Sequence, residues 1–324
     1  MVKTVVVKKI LSDDETSALK GEILPKGYYK QIFDEDIDVK TEDGKYLLRL
    51  RKNVLPKKNI DKAYNAMIKH ARKLTTTRGV TGGNNGKPKL VLMNNPIASN
   101  IIGYFDTLSV RQKWIFKQAK MKVPKCRQTA FTGQHVNQWK NVIPLIKDID
   151  KQYKKLFPKE HSVQHKAAQS TKYVIDNTAF STITTNLNLQ TAVHTDKGDY
   201  MKGFGNLVVL EKGKYEGGYT GFPQYGIAVN VRSGDFLGMD VHQFHGNEPI
   251  IKKSPDAERL SLVSYLRERI VNNCQNEEMV EESYFEKAKE KAQKMRDKLN
   301  GVTRKKKRKG RKNKTSKNRF FGIL

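Results

Sequence analysis

The stretch Thr191-Ala-Val-His194-Thr-Asp196-Lys-Gly-Asp199 decides what this chain can be, because it supplies a His-x-Asp pair. His245 follows Asp196 by 49 residues, inside Asp240-Val-His242-Gln-Phe-His245-Gly-Asn247, and Arg259-Leu-Ser261 begins 14 residues later. Two imidazoles and one carboxylate gathered on one side of a metal leave its other side open. That suits non-haem Fe(II), which must also accept a co-substrate and O2. A buried arginine can grip a dicarboxylate through a forked hydrogen bond. The combination points to a 2-oxoglutarate-dependent oxygenase. His194, Asp196 and His245 are the expected metal ligands and catalytic residues, and Arg259 and Ser261 the expected co-substrate residues.

Residues two apart on a strand face the same way. A strand over 191–195 is predicted to turn His194 and Asp196 into a barrel and Thr195 outward. Between His242 and His245, His245 is preferred because Gly246-Asn247 ends its segment and a strand end can bring a ligand over the metal. Arg259 and Ser261 share a strand face. Arg267 has the same parity and reads as a surface or phosphate contact. Asp199 reads as a turn or supporting residue, and Asp240 as one that caps or hydrogen-bonds within its strand. A lone His-x-Asp is more often structural, but here the later His and Arg-x-Ser follow in order within a β-rich segment. Zinc, or a cupin-type metal, is the competing choice. Arg259 argues against it, since a zinc hydrolase has no need of a dicarboxylate clamp. Three protein ligands on an octahedral ion leave room for 2-oxoglutarate and O2. Oxidative decarboxylation would then give succinate and CO2 and remove hydrogen from a nearby C–H bond, while the protein positions the reactants and excludes water.

Outward from this segment the chain changes character. Strands are predicted over 179–188, 205–210, 215–219, 227–231, 235–241 and 260–267, with Gly at the turns, a pattern of sandwiches and jelly rolls. A helix over 136–157 carries the stripe Val136, Trp139, Ile143, Ile146, Ile149, Tyr153 and Phe157, with Pro144 expected to bend it. Lys151, Lys154, Lys155 and Lys159 fall on its solvated side, where they could contact phosphate. His135, His161 and His165 flank it without ligand spacing and are expected at the surface. Residues 60–74 have helical spacing, and residues 1–58 mix strands and loops. The Gly-rich 75–88 segment lacks the residues of a phosphate loop and is expected to be a mobile surface loop. Phe204, Tyr215, Tyr219, Phe222 and Tyr225 could stack on a base, although core packing is the default. Residues 277–299 form a charged helix with Gly301 as its stop.

The expected organisation is α+β. A mixed α/β extension covers 1–119 and a β core covers 120–272, with a supporting helix at 135–157. A charged helix covers 273–302, and a basic tail over 303–324 is disordered when free.

The 324 residues carry 62 Lys+Arg against 33 Asp+Glu, a net charge of +29. Eleven of those basic residues lie in 304–319, and removing them leaves +18, so the body is basic too. Such a field attracts polyanions such as nucleic acid, or an anionic membrane surface. The tail suits a nuclear-localisation signal, a DNA anchor or both. Cys126 and Cys274 lie far apart in sequence, and no disulfide framework or cysteine zinc site is expected. No apolar run approaches the ~18 residues of a membrane span, and no signal-peptide core is seen. An intracellular, DNA-associated protein is expected, nuclear if the host is eukaryotic, with no membrane contact and no obligate protein partner.

Several further runs resemble the TET/JBP family of 2-oxoglutarate- and Fe(II)-dependent DNA base oxygenases. They are Arg127-Gln-Thr-Ala-Phe131-Thr, Thr178-Ala-Phe180-Ser-Thr-Ile-Thr-Thr-Asn186, Gly217-Gly-Tyr-Thr-Gly-Phe-Pro-Gln-Tyr-Gly226 and Arg232-Ser-Gly-Asp235. The 191–199 run is similar to the J-binding-protein branch. The resemblance covers about 120–270 and is weaker from about 60. It implies a double-stranded β-helix (jelly-roll) core braced by N-terminal helices. It implies iron at His194, Asp196 and His245, and 2-oxoglutarate at Arg259. It also implies hydroxylation of the 5-methyl group of thymine or 5-methylcytosine in DNA, with the pyrimidine flipped from the stack. Neither a modified-base-binding insertion nor a cysteine-rich module is present, which leaves the choice of base open. An oxygenase acting on protein, RNA or a small molecule is the alternative, and a non-catalytic nucleic-acid-binding protein a third.

Overall fold

In the segment Gly205–Lys212, successive side chains alternate between two apolar environments. Leu207 and Val209 join one buried cluster, and Val208 and Leu210 another. A strand covered on both faces needs a sheet on one side and helices on the other, and the rest of the chain supplies them. The computed structural model describes residues 2–76, 79–83, 96–275 and 277–317.

The early strands are β1 (Lys3–Val7), β2 (Gln31–Phe33), β3 (Ile37–Thr41) and β4 (Tyr46–Arg51), with helix α1 (Asp13–Ala18) after β1. Helix α2 (Lys57–Ala71), strand β5 (Ser99–Phe105), helix α3 (Val110–Gln118) and strand β6 (Arg127–Gln128) follow. Helices α4 (Ala130–Gln134), α5 (Val136–Leu156) and α6 (Pro158–Ala168) come next. Strands β7 (Thr182–Leu187), β8 (Gly205–Lys212), β9 (Tyr215–Gly217), β10 (Thr220–Phe222) and β11 (Ile227–Val229) lead on. Then come β12 (Phe236–Met239), β13 (Gly246–Asn247), β14 (Ile250–Lys252) and β15 (Glu258–Tyr265). Helices α7 (Glu268–Cys274) and α8 (Glu282–Lys317) complete the described chain.

Among the described residues, the major sheet has nine strands in the order β1-β3-β4-β12-β8-β15-β7-β5-β6. A four-stranded sheet, β13-β10-β11-β2, contributes to the same apolar cluster as Leu207 and Val209, through Phe33, Phe222, Ile227 and Val229. On the other face, α2 and α5 bury Met67, Ile146, Ile149 and Tyr153 against Val208, Leu210, Leu260 and Leu262. Pro144 sits inside α5. Gly238 lets the Phe157 ring lie against β12, because a Cβ there would collide with that ring.

Several expectations change. No division falls at residue 119, because β1, β3, β4 and β5 are strands of the same major sheet and β2 completes the minor one. Helix α8 runs through Gly301 to Lys317, into the stretch expected to be disordered. Lys and Arg are good helix formers, and one interior Gly costs only about 1 kcal/mol relative to Ala. Residues 318–324 of that tail, and 77–78 and 84–88 of the Gly-rich segment, lie outside the described residues. Cys126 and Cys274 are joined by a disulfide, contrary to expectation, with Cα atoms 6.4 Å apart across 148 residues of sequence. Distance along the chain does not fix distance in space, and that Cα separation is within bridging range. His161 is buried, bonded to Asp150 at 3.1 Å rather than lying at the surface. No described helix is long and apolar enough to cross a membrane.

Candidate active site

The predicted strand over 191–195 does not form. Its backbone is shared among separate segments instead. Ala192 N–H donates to Thr81 O, Val193 N–H to Glu22 O, and Asn247 N–H to Thr191 O. His194 and His245 face each other in an isolated antiparallel bridge, each N–H donating to the other's carbonyl at 2.9 Å. Residues directly opposite in such a pair send their side chains to the same face, about 5 Å apart at Cβ. The imidazole centroids are accordingly 4.4 Å apart. Asp196 N–H donates to Val241 O, and Asp199 N–H to Asp196 O at 3.3 Å, so a tight turn aims the Asp196 carboxylate at both rings.

The donor atoms of His194, Asp196 and His245 all lie within 4.8 Å of one another. His194 Nδ1 lies 2.7 Å from Ala192 O, and His245 Nδ1 lies 3.0 Å from Gln243 O. A carbonyl only accepts, so each Nδ1 carries a proton, and in the neutral ring the lone pair falls on Nε2. The two Nε2 atoms stand 3.6 and 3.7 Å from the Asp196 carboxylate oxygens. Burial, and then the neighbouring His194, push His245 down to about 4 against the pull of Asp196. It is therefore a neutral imidazole near neutral pH, the form that binds metals. Two nitrogens and one carboxylate oxygen, oriented by backbone carbonyls and open on one side, fit Fe(II). His242 stays out of this group. Its N–H donates to Asp240 Oδ1 and its Nε2 is buried without a partner, which leaves Asp240 in the local role expected of it.

These residues line a cavity of about 320 Å³. Thr184 and Asn186 from β7, Thr220 from β10, and Ser261, Val263 and Tyr265 from β15 form much of the wall. Arg259 is not part of that wall. It lies one pleat beyond Ser261 on the same strand face, almost fully buried, with its Nη2 lacking a partner. Burial lowers its pKa, opposed by the nearby Tyr215 and Glu211. A buried guanidinium with an unused donor is an unfavourable state, and a carboxylate arriving past Ser261 would relieve it. The site thus fits 2-oxoglutarate as well as the metal.

Arg267 is corrected. It lines the cavity and is held by Asp106 at 3.0 Å (Nε) and 2.9 Å (Nη2). Asp199 also lines it. The aromatics offered as stacking partners do not line it. Phe204 stacks on Phe157, Phe222 and Tyr225 are in the core between the sheets, and Tyr215 lies under Arg232. Lys20, Val80 and Thr81 line the cavity and were missed, because they come from irregular N-terminal segments whose sequence carries no ligand spacing.

The donor set, with the Arg259 guanidinium and its unpartnered Nη2 behind it, suits an Fe(II)- and 2-oxoglutarate-dependent oxygenase. Residues 113–268 match the Tet_JBP model, the oxygenase domain of the 2OGFeDO superfamily. These residues resemble the oxygenase domain of the TET/JBP family, and the cofactors of that superfamily are Fe(II), 2-oxoglutarate and O2. The chain is 35% identical over 183 residues to the bifunctional helicase and thymine dioxygenase JBP2 of Leishmania tarentolae, covering 56% of this chain and 16% of that protein. It is 37% identical over 171 residues to thymine dioxygenase JBP1 of Trypanosoma brucei brucei, covering 52% of this chain and 19% of that one. The match thus spans less than a fifth of either relative. The structure of NgTET1 in complex with 5mC DNA superposes with a TM-score of 0.54 at 16% identity, over 83% of this chain and 90% of that one. That likeness is one of fold.

Proposed function

We propose that this protein hydroxylates the 5-methyl group of thymine or 5-methylcytosine in DNA, using Fe(II), 2-oxoglutarate and O2. We read its two facing sheets as a double-stranded β-helix. The observation that carries the proposal is the convergence of His194 Nε2, His245 Nε2 and the Asp196 carboxylate on one open-sided point in the cavity. In this proposal those three residues hold the iron, which when loaded supplies the oxidising chemistry. Arg259 and Ser261 bind the distal carboxylate of 2-oxoglutarate and orient its keto-acid end towards the triad. The walls from β7 and β15 exclude water. A methyl group in a stacked base cannot enter a cavity between two sheets, so the pyrimidine must be extruded, at a cost of a few kcal/mol. The names of the JBP relatives favour thymine, and the net charge of +29 suits a DNA substrate.

The test is incubation with Fe(II), 2-oxoglutarate and thymine- or methylcytosine-containing duplexes, followed by digestion and nucleoside mass spectrometry. A product heavier by one oxygen is expected, with succinate formed alongside. Succinate release without any new nucleoside from either duplex would overturn the assignment of substrate.

A further inference from the structure

Residues 107–147 contain nine Lys or Arg and no acidic residue. The structure gathers part of that run on one helical face. In α3, Val110, Lys113, Trp114 and Lys117 recur at helical spacing on one side, and all four are exposed, with Trp114 at 44%. The opposite side buries Phe116 and packs with α8 through Phe285, Ala288 and Ala292. Arg296 of α8 reaches over the Trp114 ring at 5.6 Å and extends the basic face onto the second helix. Lys122 and Lys125 are paired with Glu277. Arg111, Lys113, Lys117 and Lys120 have no carboxylate partner among the described residues.

This face lies close to the active site. Val110 begins four residues after Asp106, the carboxylate that fixes Arg267 in the cavity wall. Four residues of chain span at most about 14 Å. Polymer lying along α3 would therefore pass near the cavity. Helix α8 continues to Lys317, and 304–317 contain ten Lys or Arg without an acid.

We infer that the outer face of α3, extended by α8, is the surface on which duplex DNA rests by its phosphate backbone while a base enters the cavity. The inference rests on the reading of this chain as a DNA oxygenase. Lys and Arg without carboxylate partners suit a phosphate chain, because they displace its counterions. Such contacts fix position and register without reading sequence.

The test compares two full-length variants with equal loss of charge. One carries Arg111→Gln, Lys113→Gln, Lys117→Gln and Lys120→Gln. The other carries Lys58→Gln, Lys62→Gln, Lys151→Gln and Lys154→Gln, on α2 and α5, which share no apolar cluster with α3. Binding of a fluorescein-labelled duplex is followed by anisotropy over a range of KCl concentrations. The α3 variant should bind at least about tenfold more weakly near physiological salt, and its salt slope should fall by about two to four. The control should change by less than half as much, and the far-ultraviolet circular dichroism of both should match the wild type. Equal losses in the two variants would overturn the inference, since charge alone would then explain binding. So would an α3 variant that loses binding to phosphatidylserine–phosphatidylcholine vesicles but not to DNA. If the wild type binds no duplex at any salt, the functional reading beneath the inference fails as well.

Discussion

His245→Ala should leave a folded protein that no longer holds iron. The backbone bridge between residues 194 and 245 survives the substitution, because both of its hydrogen bonds are made by main-chain atoms. What is lost is one of the three clustered donor atoms proposed to hold the metal. Removing even a group that merely supports a ligand lowers metal affinity about 10- to 100-fold, so loss of a ligand should exceed about 100-fold, with turnover falling to background. Anaerobic Fe(II) titration and nucleoside mass spectrometry measure the two effects. His242→Ala is the comparison, since that imidazole lies outside the cluster and its N–H bond to Asp240 does not involve the ring. Wild-type iron affinity in His245→Ala, or loss of iron in His242→Ala alone, would show that the ligand set is misassigned.

Arg259→Ala should separate the two cofactors. The guanidinium is buried and its Nη2 unpartnered, so that donor is left for a carboxylate. Truncating one partner of a buried, hydrogen-bonded charge pair costs about 2–4 kcal/mol, equivalent to a rise of about 30- to 1000-fold in the KM for 2-oxoglutarate. Iron affinity should hardly move. Arg259→Lys should recover little, because an ammonium cannot reproduce the forked geometry. A second readout comes from heat. 2-Oxoglutarate should raise the wild-type Tm, as any ligand of the folded state does, but not that of Arg259→Ala. An unchanged KM in the alanine variant would place the distal carboxylate elsewhere.

The meeting of His194, Asp196 and His245 was legible in the sequence because the chemistry expected of them needs particular residue types in a particular order, and few other combinations give it. The main strands were legible from alternation, and α2 and α5 from their apolar stripes. The route by which His194 reaches its place was not. No periodicity announces that residues 191–193 will spend their hydrogen bonds on Thr81, Glu22 and Asn247 rather than on one neighbouring strand. Arg267 was misplaced for a related reason: strand parity gives the face, but Asp106, 161 residues earlier, decides where the guanidinium stops. The pairing of Cys126 with Cys274 is likewise a property of the folded chain alone.

The strands contributed by the first sixty residues have a consequence for anyone cutting the gene. Family likeness begins at residue 113, yet β12 is hydrogen-bonded along one side to β4, and β11 to β2. A fragment trimmed to the region of similarity would keep the clustered His194, Asp196 and His245 yet bare the flanks of β12, β11 and, with β5 also gone, β7, inviting self-association. The part recognisable by kinship is smaller than the pair of sheets it belongs to.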